Sequence, residues 1–325
     1  MDKDNNKKNS MDMLNGTIWN KLPKFALPIA ATGILEQLFN ASDIAIVGQF
    51  TGSNSTVSVA AVGANSPIIG LIVNLFIGIA LGSNVIIANS IGKNDVKAVK
   101  KAVHSSIIMA VLGGILVAII GELMVGGLLN MLNVPEDVLD FAKLYIRIYL
   151  IGMPVILLYN FEAAIFRSIG DTKVPLIALA FSGVLNVILN LFFVIVLKMT
   201  VNGVALATVI SNAVSASILF AKLLKTDKII HIELNQLRLD KISVINILKI
   251  GLPAGIQSAV FAIANIVIQA SINSLGTVVI AASSAAFNIE VFAYDVLNSF
   301  SQACTTFVGQ NYGAGNLKRC RRTFC

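Results

Sequence analysis

The stretch VSVAAVGANSPIIGLIVNLFIGIALGSNVIIANSIG, residues 57–92, decides the class of this protein. No charged residue occurs anywhere from Ile44 to Gly92. A helix crosses the roughly 30 Å hydrocarbon core of a bilayer with about 20 mostly apolar residues, so one complete span fits here. The block is continuous rather than alternating, which argues against a closed membrane barrel. The rest of the chain has the same character. Of its 325 residues, 56% are hydrophobic and 13% charged, with mean hydropathy +0.82. Soluble domains carry about 25% charged residues, so a water-soluble globule is excluded, and disorder with it. Three cysteines and two histidines exclude a disulfide scaffold, a zinc array and most metal enzymes.

Reading outward from this block gives eight spans. On its N-terminal side a Gly/Ser/Asn/Thr loop, Gly48 to Thr56, precedes it, and before that runs a first span from about Leu22 to Val47, containing Glu36 and Asp43. The first twenty residues are polar and charged, so this first block reads as a true span and not as a cleaved signal. On the C-terminal side come Ala102 to Leu129, with Glu122 inside, and Val138 to Phe166 after a turn at Asn133–Asp137. Val174 to Leu197 and Met199 to Ala221 follow, then a polar stretch from Lys222 to Ser243. Ile250 to Ile272 and Val278 to Val308 complete the set, with a turn at Asn273–Thr277 between them.

Charge orients the bundle, because cytoplasmic loops collect Lys and Arg. With the N-terminus inside, 21 of the 24 basic residues fall on inner segments, and only Lys143, Arg147 and Lys198 lie outside. The expected topology is N-in and C-in, and the net charge of +7 reads as topology rather than nucleic-acid binding. Cys304, Cys320 and Cys325 are expected as reduced thiols.

The chain also repeats. Lys24-Phe25-Ala26-Leu27-Pro28 matches Lys249-Ile250-Gly251-Leu252-Pro253, and Gly92 to Lys101 matches Gly313 to Arg322 as a glycine turn followed by a basic run. Both copies start inside, so the repeats run parallel, a transporter design. The expected organisation is a tail (1–21), a six-helix lobe (22–224), a cytoplasmic linker (225–245) and an incomplete second lobe (246–325), about eight of twelve helices. The sequence therefore reads as C-terminally truncated.

Several stretches then carry a resemblance: Phe25-Ala26-Leu27-Pro28, Leu38-Phe39-Asn40, Asp43 to Gly48, Ala60 to Ala64 with Ser66-Pro67, Tyr159-Asn160-Phe161, Arg167 to Lys173, Gly203 to Thr208, and Val308 to Asn311 with Gly313 to Asn316. The chain resembles the multidrug and toxic compound extrusion (MATE) family, of the NorM/DinF type, over nearly its whole length. The resemblance implies two six-helix lobes around a central cavity, and export of organic cations by alternating access, driven by H+ or Na+. It also implies a multi-pass protein of the plasma membrane, monomeric at full length, with the lipid bilayer and small organic cations as partners, no nucleic acid and no cofactor.

Ionisable and amide groups inside spans mark where coupling can occur. Glu36, Asn40 and Asp43 are spaced i, i+4, i+7 on one face of the first span. Asn186 and Asn190 of the fifth span are i and i+4, and Asn190 is expected near the depth of Asp43. An acid and two amides can hold a proton or a sodium ion. Similarity to the family suggests a carboxylate position at Asn190, where an amide cannot titrate, so Asp43 or Glu36 would carry a proton alone. Where the family has another acid-based site, the seventh span offers Gln257 and Asn265.

Thr208 and Asn212 are candidates for the same cavity, with plain helix packing as the competing role. Glu162 is expected to pair with Arg167 or another inner basic residue, Lys143 and Arg147 to snorkel, and His104 and His231 to lie at the surface. Pro28 and Pro253 are expected near helix starts, and Gly78 with Gly82 at a close helix contact. There is no phosphate-binding loop, nucleophile–base pair or metal motif, so the chain reads as no enzyme and as not driven by ATP. Two rivals stand beside the antiporter: a lipid-linked flippase of the same superfamily, disfavoured by the expected lack of Lys or Arg deep inside the spans, and a fragment that does not transport.

Overall fold

The computed structural model describes residues 11–132, 134–273 and 277–324, and among these the secondary structure is entirely helical. The helices are α1 (Ile18–Phe50), α2 (Ser55–Gly92), α3 (Val96–Met131), α4 (Glu136–Ile151), α5 (Met153–Ser168), α6 (Lys173–Leu191), α7 (Val201–Lys225), α8 (Lys241–Asn273), α9 (Thr277–Gly313) and α10 (Leu317–Phe324). Lys3, Lys7, Lys8, Asn133, the turn core Ser274–Gly276 and Cys325 lie outside the described residues.

Five segments are long and apolar enough to cross a membrane: Gly52–Gly92, Val96–Met131, Lys173–Val196, Val201–Lys225 and Lys241–Asn265. The pair α4 and α5 makes a sixth if counted as one span. The helices α1 and α9 have 33 and 37 residues, about 50 Å of rise each. Their polar content, Lys21, Lys24, Glu36 and Asp43 in one and Glu290, Asp295 and several Ser and Asn in the other, lowers their apolar average.

Two expectations are corrected here. The single helix expected over 138–166 is broken: α4 and α5 meet at Gly152 with a 50° bend. Pro154 has no N–H and its ring crowds the carbonyl four residues back, which together with the permissive Gly152 breaks the helix here. The Gly152 carbonyl instead accepts from Val155 and Ile156 at 3.1 Å. The bend seats the Pro154 backbone against Gly114 of α3, where a Cβ would not fit. Pro28 and Pro253 are also not at helix starts but inside α1 and α8. Both helices extend through the flanking basic residues, and the Thr32 hydroxyl donates to the Pro28 carbonyl at 2.9 Å.

Helix α2 is the axis on which the C-terminal helices lie. It packs along α8, and also against α9. Gly78 and Gly82, spaced for a close contact, meet Gly251 and Gly255 of α8. A Cβ at any of the four would run into the facing backbone. Gly92 faces Gln310, and Gly313 faces Asn89, so α9 approaches α2 equally closely.

At the basic end of the bundle the segment after α7 folds back over α3. Lys100 pairs with Glu233 at 2.6 Å and Lys101 with Asp240 at 3.1 Å. The Lys100 hydrogen bond holds the Glu233 carboxyl below its ordinary range, and hydrogen bonds from Ser243 do the same for Asp240. His104 is buried, not at the surface. Its Nδ1 lies 2.7 Å from the Lys100 carbonyl and its Nε2 accepts from the Glu233 N–H at 3.1 Å. A histidine that pins a returning segment meets a residue 129 positions away, which local composition does not reveal.

Candidate functional site

Asp43 lies in the interior formed by α1, α6 and α7, 5% exposed. Asn190 Nδ2 donates to its Oδ1 at 2.5 Å, and the Thr208 hydroxyl is 3.1 Å from its Oδ2. Asn190 Nδ2 also donates to Asn186 Oδ1 at 3.1 Å, and Asn186 Nδ2 approaches Thr208 Oγ1 at 3.4 Å. Four side chains from three helices thus close a ring. The Thr208 hydroxyl has one hydrogen to share between Asp43 and the Val204 carbonyl, 3.0 Å away. Asn190 Oδ1 is buried with no partner. Among the described residues no basic side chain forms an ion pair with Asp43.

Local sequence explains the close approach. Asn186 and Asn190 are one turn apart on α6, and Gly183 precedes them by one turn on the same side. A Cβ at Gly183 would collide with the ring of Phe39 on α1. The missing side chain lets α1 and α6 come near enough for a direct carboxylate–amide contact.

A second feature is a cavity of about 450 Å³ between α1, α2, α5, α8 and α9. Glu36, Glu290, Asp295 and Arg167 are its charged lining. Arg167 Nη1 donates to Gln302 Oε1 at 2.8 Å. Phe261 and Tyr294 stack on one wall with centroids 5.8 Å apart. Asn84, also a lining residue, accepts from the Thr306 hydroxyl through Oδ1 at 3.0 Å, linking α9 to α2.

The structure sorts the sequence candidates into these two places. Asp43, Asn186, Asn190 and Thr208 come together. Glu36 shares the helix face of Asp43 but sits seven residues earlier, about 10 Å along the axis, and at that depth α1 borders the cavity. Asn40 is exposed and stands outside the ring. Asn212, offered beside Thr208, bonds back to the Thr208 carbonyl of its own helix at 2.9 Å. Asn265 lines the cavity, while Gln257 is exposed outside it.

Three expectations about charged side chains are revised. Glu162 does not pair with Arg167: it is 0% exposed and neither carboxyl oxygen has a partner. Arg147 is paired to Glu122 at 2.9 Å rather than merely snorkelling. Arg167 reaches the cavity, so the interior does hold a basic group, outnumbered by three carboxylates. Glu290 and Asp295, five residues apart, both line the cavity because it borders more than one face of α9. Sequence reasoning missed Arg167, Gln302 and Asn84 as lining residues. Their signal was only a polar residue in an apolar helix, which packing alone also explains.

Comparison with known proteins places this geometry. The MatE family model matches residues 28–192 and 253–325. The chain is 26% identical over 308 residues to the Bacillus subtilis protein named "Probable multidrug resistance protein YpnP", covering 95% of this chain and 68% of that one. It is 27% identical over 306 residues to a Thermotoga maritima protein named "Probable multidrug resistance protein NorM", covering 91% and 64%. The chain spans about two thirds of the length of the relatives it matches. Its fold superposes with a TM-score of 0.88 on a structure described as the outward-facing conformation of a multidrug resistance MATE family transporter, at 23% identity, covering 98% of this chain and 70% of that one.

Proposed function

The chain belongs to the MatE family, and from that premise we propose that it serves secondary multidrug efflux, exchanging organic cations for H+ or Na+ by alternating access. The observation that carries the coupling half of this reading is Asp43: a carboxyl buried in the bundle and bonded only by neutral amide and hydroxyl groups. An ionised carboxylate removed from water needs a compensating cation or a proton. Asp43 therefore binds one or the other. The unpartnered Asn190 Oδ1 adds a neutral oxygen ligand of the kind a hard cation takes.

The cavity is the binding half. Three carboxylates against one guanidinium give it a field that favours cations. The Phe261–Tyr294 stack offers a π face to a flat cationic ring. Helix α1 borders both places, with Glu36 at the cavity and Asp43 seven residues on. A change of charge at Asp43 that favours one arrangement of α1 then shifts the population of cavity states.

In this reading the N- and C-terminal ends face the cytoplasm. Residues 22–224 form one lobe and 246–325 belong to a second, joined by a linker at 225–245. The protein sits in the plasma membrane, acts as a monomer and performs no bond chemistry. Asp43→Asn keeps a similar shape and removes the charge. It abolishes ethidium efflux from cells while membrane expression is unchanged; undiminished efflux at equal expression refutes the assignment.

A further inference from the structure

The segment ahead of α1 joins the two lobes at the basic end of the bundle. On one side, the Met11 N–H donates to the Gly170 carbonyl in the turn between α5 and α6, at 3.3 Å. Gly170 has φ +85°, and a Cβ there would run into the Met11 backbone. On the other side, Arg319 of α10 wraps the segment with its guanidinium. Nε donates to Met13 O at 3.1 Å, Nη1 to Gly16 O at 2.7 Å and Nη2 to Asn15 O at 3.0 Å. Asn311 of α9 donates to the same Met13 carbonyl at 3.1 Å.

The segment is also built to hold its shape. Asp12 Oδ1 accepts from the Leu14 and Asn15 N–H groups, a local turn that aims successive carbonyls one way. Lys21 Nζ donates to the Asp12 and Asn15 carbonyls. The Met13 side chain, 1% exposed, is buried with Phe25, Ala26 and Ile29 of α1 and Ala303 and Phe307 of α9. It is therefore a plug between helices of both lobes.

We propose that residues 11–17 are a strap that clamps the basic end shut, with Arg319 as its buckle, and that the lobes separate there only when the strap lets go. The inference rests on the alternating-access reading for its purpose. Its physical content is separate: three charge-assisted hydrogen bonds and one buried methionine hold the second lobe to a segment that is anchored on the first. Gln310, which donates to the Ser168 carbonyl at 2.7 Å, is the neighbour that acts in the same direction.

The test uses the full chain in lipid nanodiscs, with Cys304, Cys320 and Cys325 replaced by Ser. Spin labels on Lys97→Cys and Arg322→Cys, both exposed at the basic end, report the separation of the lobes. Arg319→Ala raises the ratio of the long to the short distance population about tenfold or more, since even one charged hydrogen bond is worth that much. Arg319→Lys, with one nitrogen in place of three, gives a smaller rise. Removing residues 1–16 reproduces the Arg319→Ala shift, and combining the two adds nothing further, because both cut the same link. Amide exchange of residues 11–17 is measured alongside. If Arg319→Ala speeds that exchange while the distances stay fixed, the segment does not hold the lobes and the proposal fails. It fails equally if the two perturbations add independently. Neither result bears on efflux by the parent chain, which the Asp43→Asn experiment decides.

Discussion

Gly78→Ala and Gly63→Ala place the same methyl on the same helix, and the structure assigns them opposite signs. A Cβ at Gly78 overlaps the backbone of Gly255 and Ala254 on α8. Backbone cannot rotate away as the end of a side chain can, so α2 and α8 must separate or tilt. Forced overpacking of this kind costs about 1–3 kcal/mol. Separation would also loosen the reciprocal contacts of Gly82 with Gly251 and of Gly255 with Leu75. At Gly63 a Cβ meets nothing within 4 Å. There the methyl only reduces the freedom of the unfolded chain and improves helix propensity, a gain of roughly 0.5–1 kcal/mol. For a chain of 325 residues, 1 kcal/mol moves the melting temperature by about 1.5 °C. The two variants should therefore differ by several degrees, Gly78→Ala below the parent and Gly63→Ala at or above it. Thermal unfolding in a single detergent, followed by size-exclusion of the remaining monodisperse protein, measures this. Gly78→Ala melting as high as Gly63→Ala would refute the claim that the α2–α8 crossing is set by backbone contact.

Two further outcomes follow from the paired and unpaired carboxyls. Glu233 and Asp240 both titrate below their ordinary values of 4.5 and 3.8, Glu233 because of Lys100 and Asp240 because of Ser243 and Lys101. A carboxyl whose folded value is depressed stabilises fully above its unfolded value and loses that contribution as pH falls through the folded one. The contribution of these two carboxyls to docking the segment 229–240 on α3 should thus be fully present above about pH 5 and be lost below about 4; hydrogen exchange of its amides, corrected for intrinsic rate, would contradict this if protection did not fall between about pH 5 and about pH 3. Glu162 presents the opposite case, a buried carboxyl with both oxygens unpartnered. Glu162→Leu removes that desolvated group at similar volume and should leave stability unchanged or raise it by about 1–3 kcal/mol. A large fall in melting temperature would show that Glu162 has a partner which compensates its burial.

The parts of the fold visible in the sequence are those encoded within a few residues. Charge-free blocks of more than twenty residues marked α2, α6, α7 and α8, because crossing a bilayer leaves no other option for the backbone. The i, i+4 spacing of Gly78 and Gly82 marked a close contact, and the structure supplies the facing glycines. The break at Gly152 was hidden because apolar content continues through it. Only the pair Gly152 and Pro154 distinguishes two helices from one, and Pro28, inside α1, shows that proline alone does not break a long helix here. Pairings between distant residues were the least legible. Glu162 and Arg167 are five apart in sequence and of opposite charge, which suggests an ion pair. Yet Arg167 extends into the cavity to meet Gln302 of α9, 135 residues away.

The candidate site divides along the same line. Asn186 and Asn190 announce a polar face on α6, and Asp43 a polar point on α1. That they meet depends on Gly183, whose missing Cβ admits Phe39 and sets the distance between the two helices. Glu36 is separated from the ring for a reason equally invisible in one dimension. A single helix face runs past two different neighbourhoods, the interior of α1, α6 and α7 at Asp43 and the cavity bordered by α8 and α9 at Glu36. Periodicity fixes which side of α1 these acids share, but only the packing partners at each depth decide what that side touches. This arrangement makes α1 the element through which events at the ring and at the cavity can influence each other. A substitution at Phe39 that leaves both acids in place, such as Phe39→Ala, should therefore disturb the Asp43–Asn190 contact without altering the charged lining of the cavity.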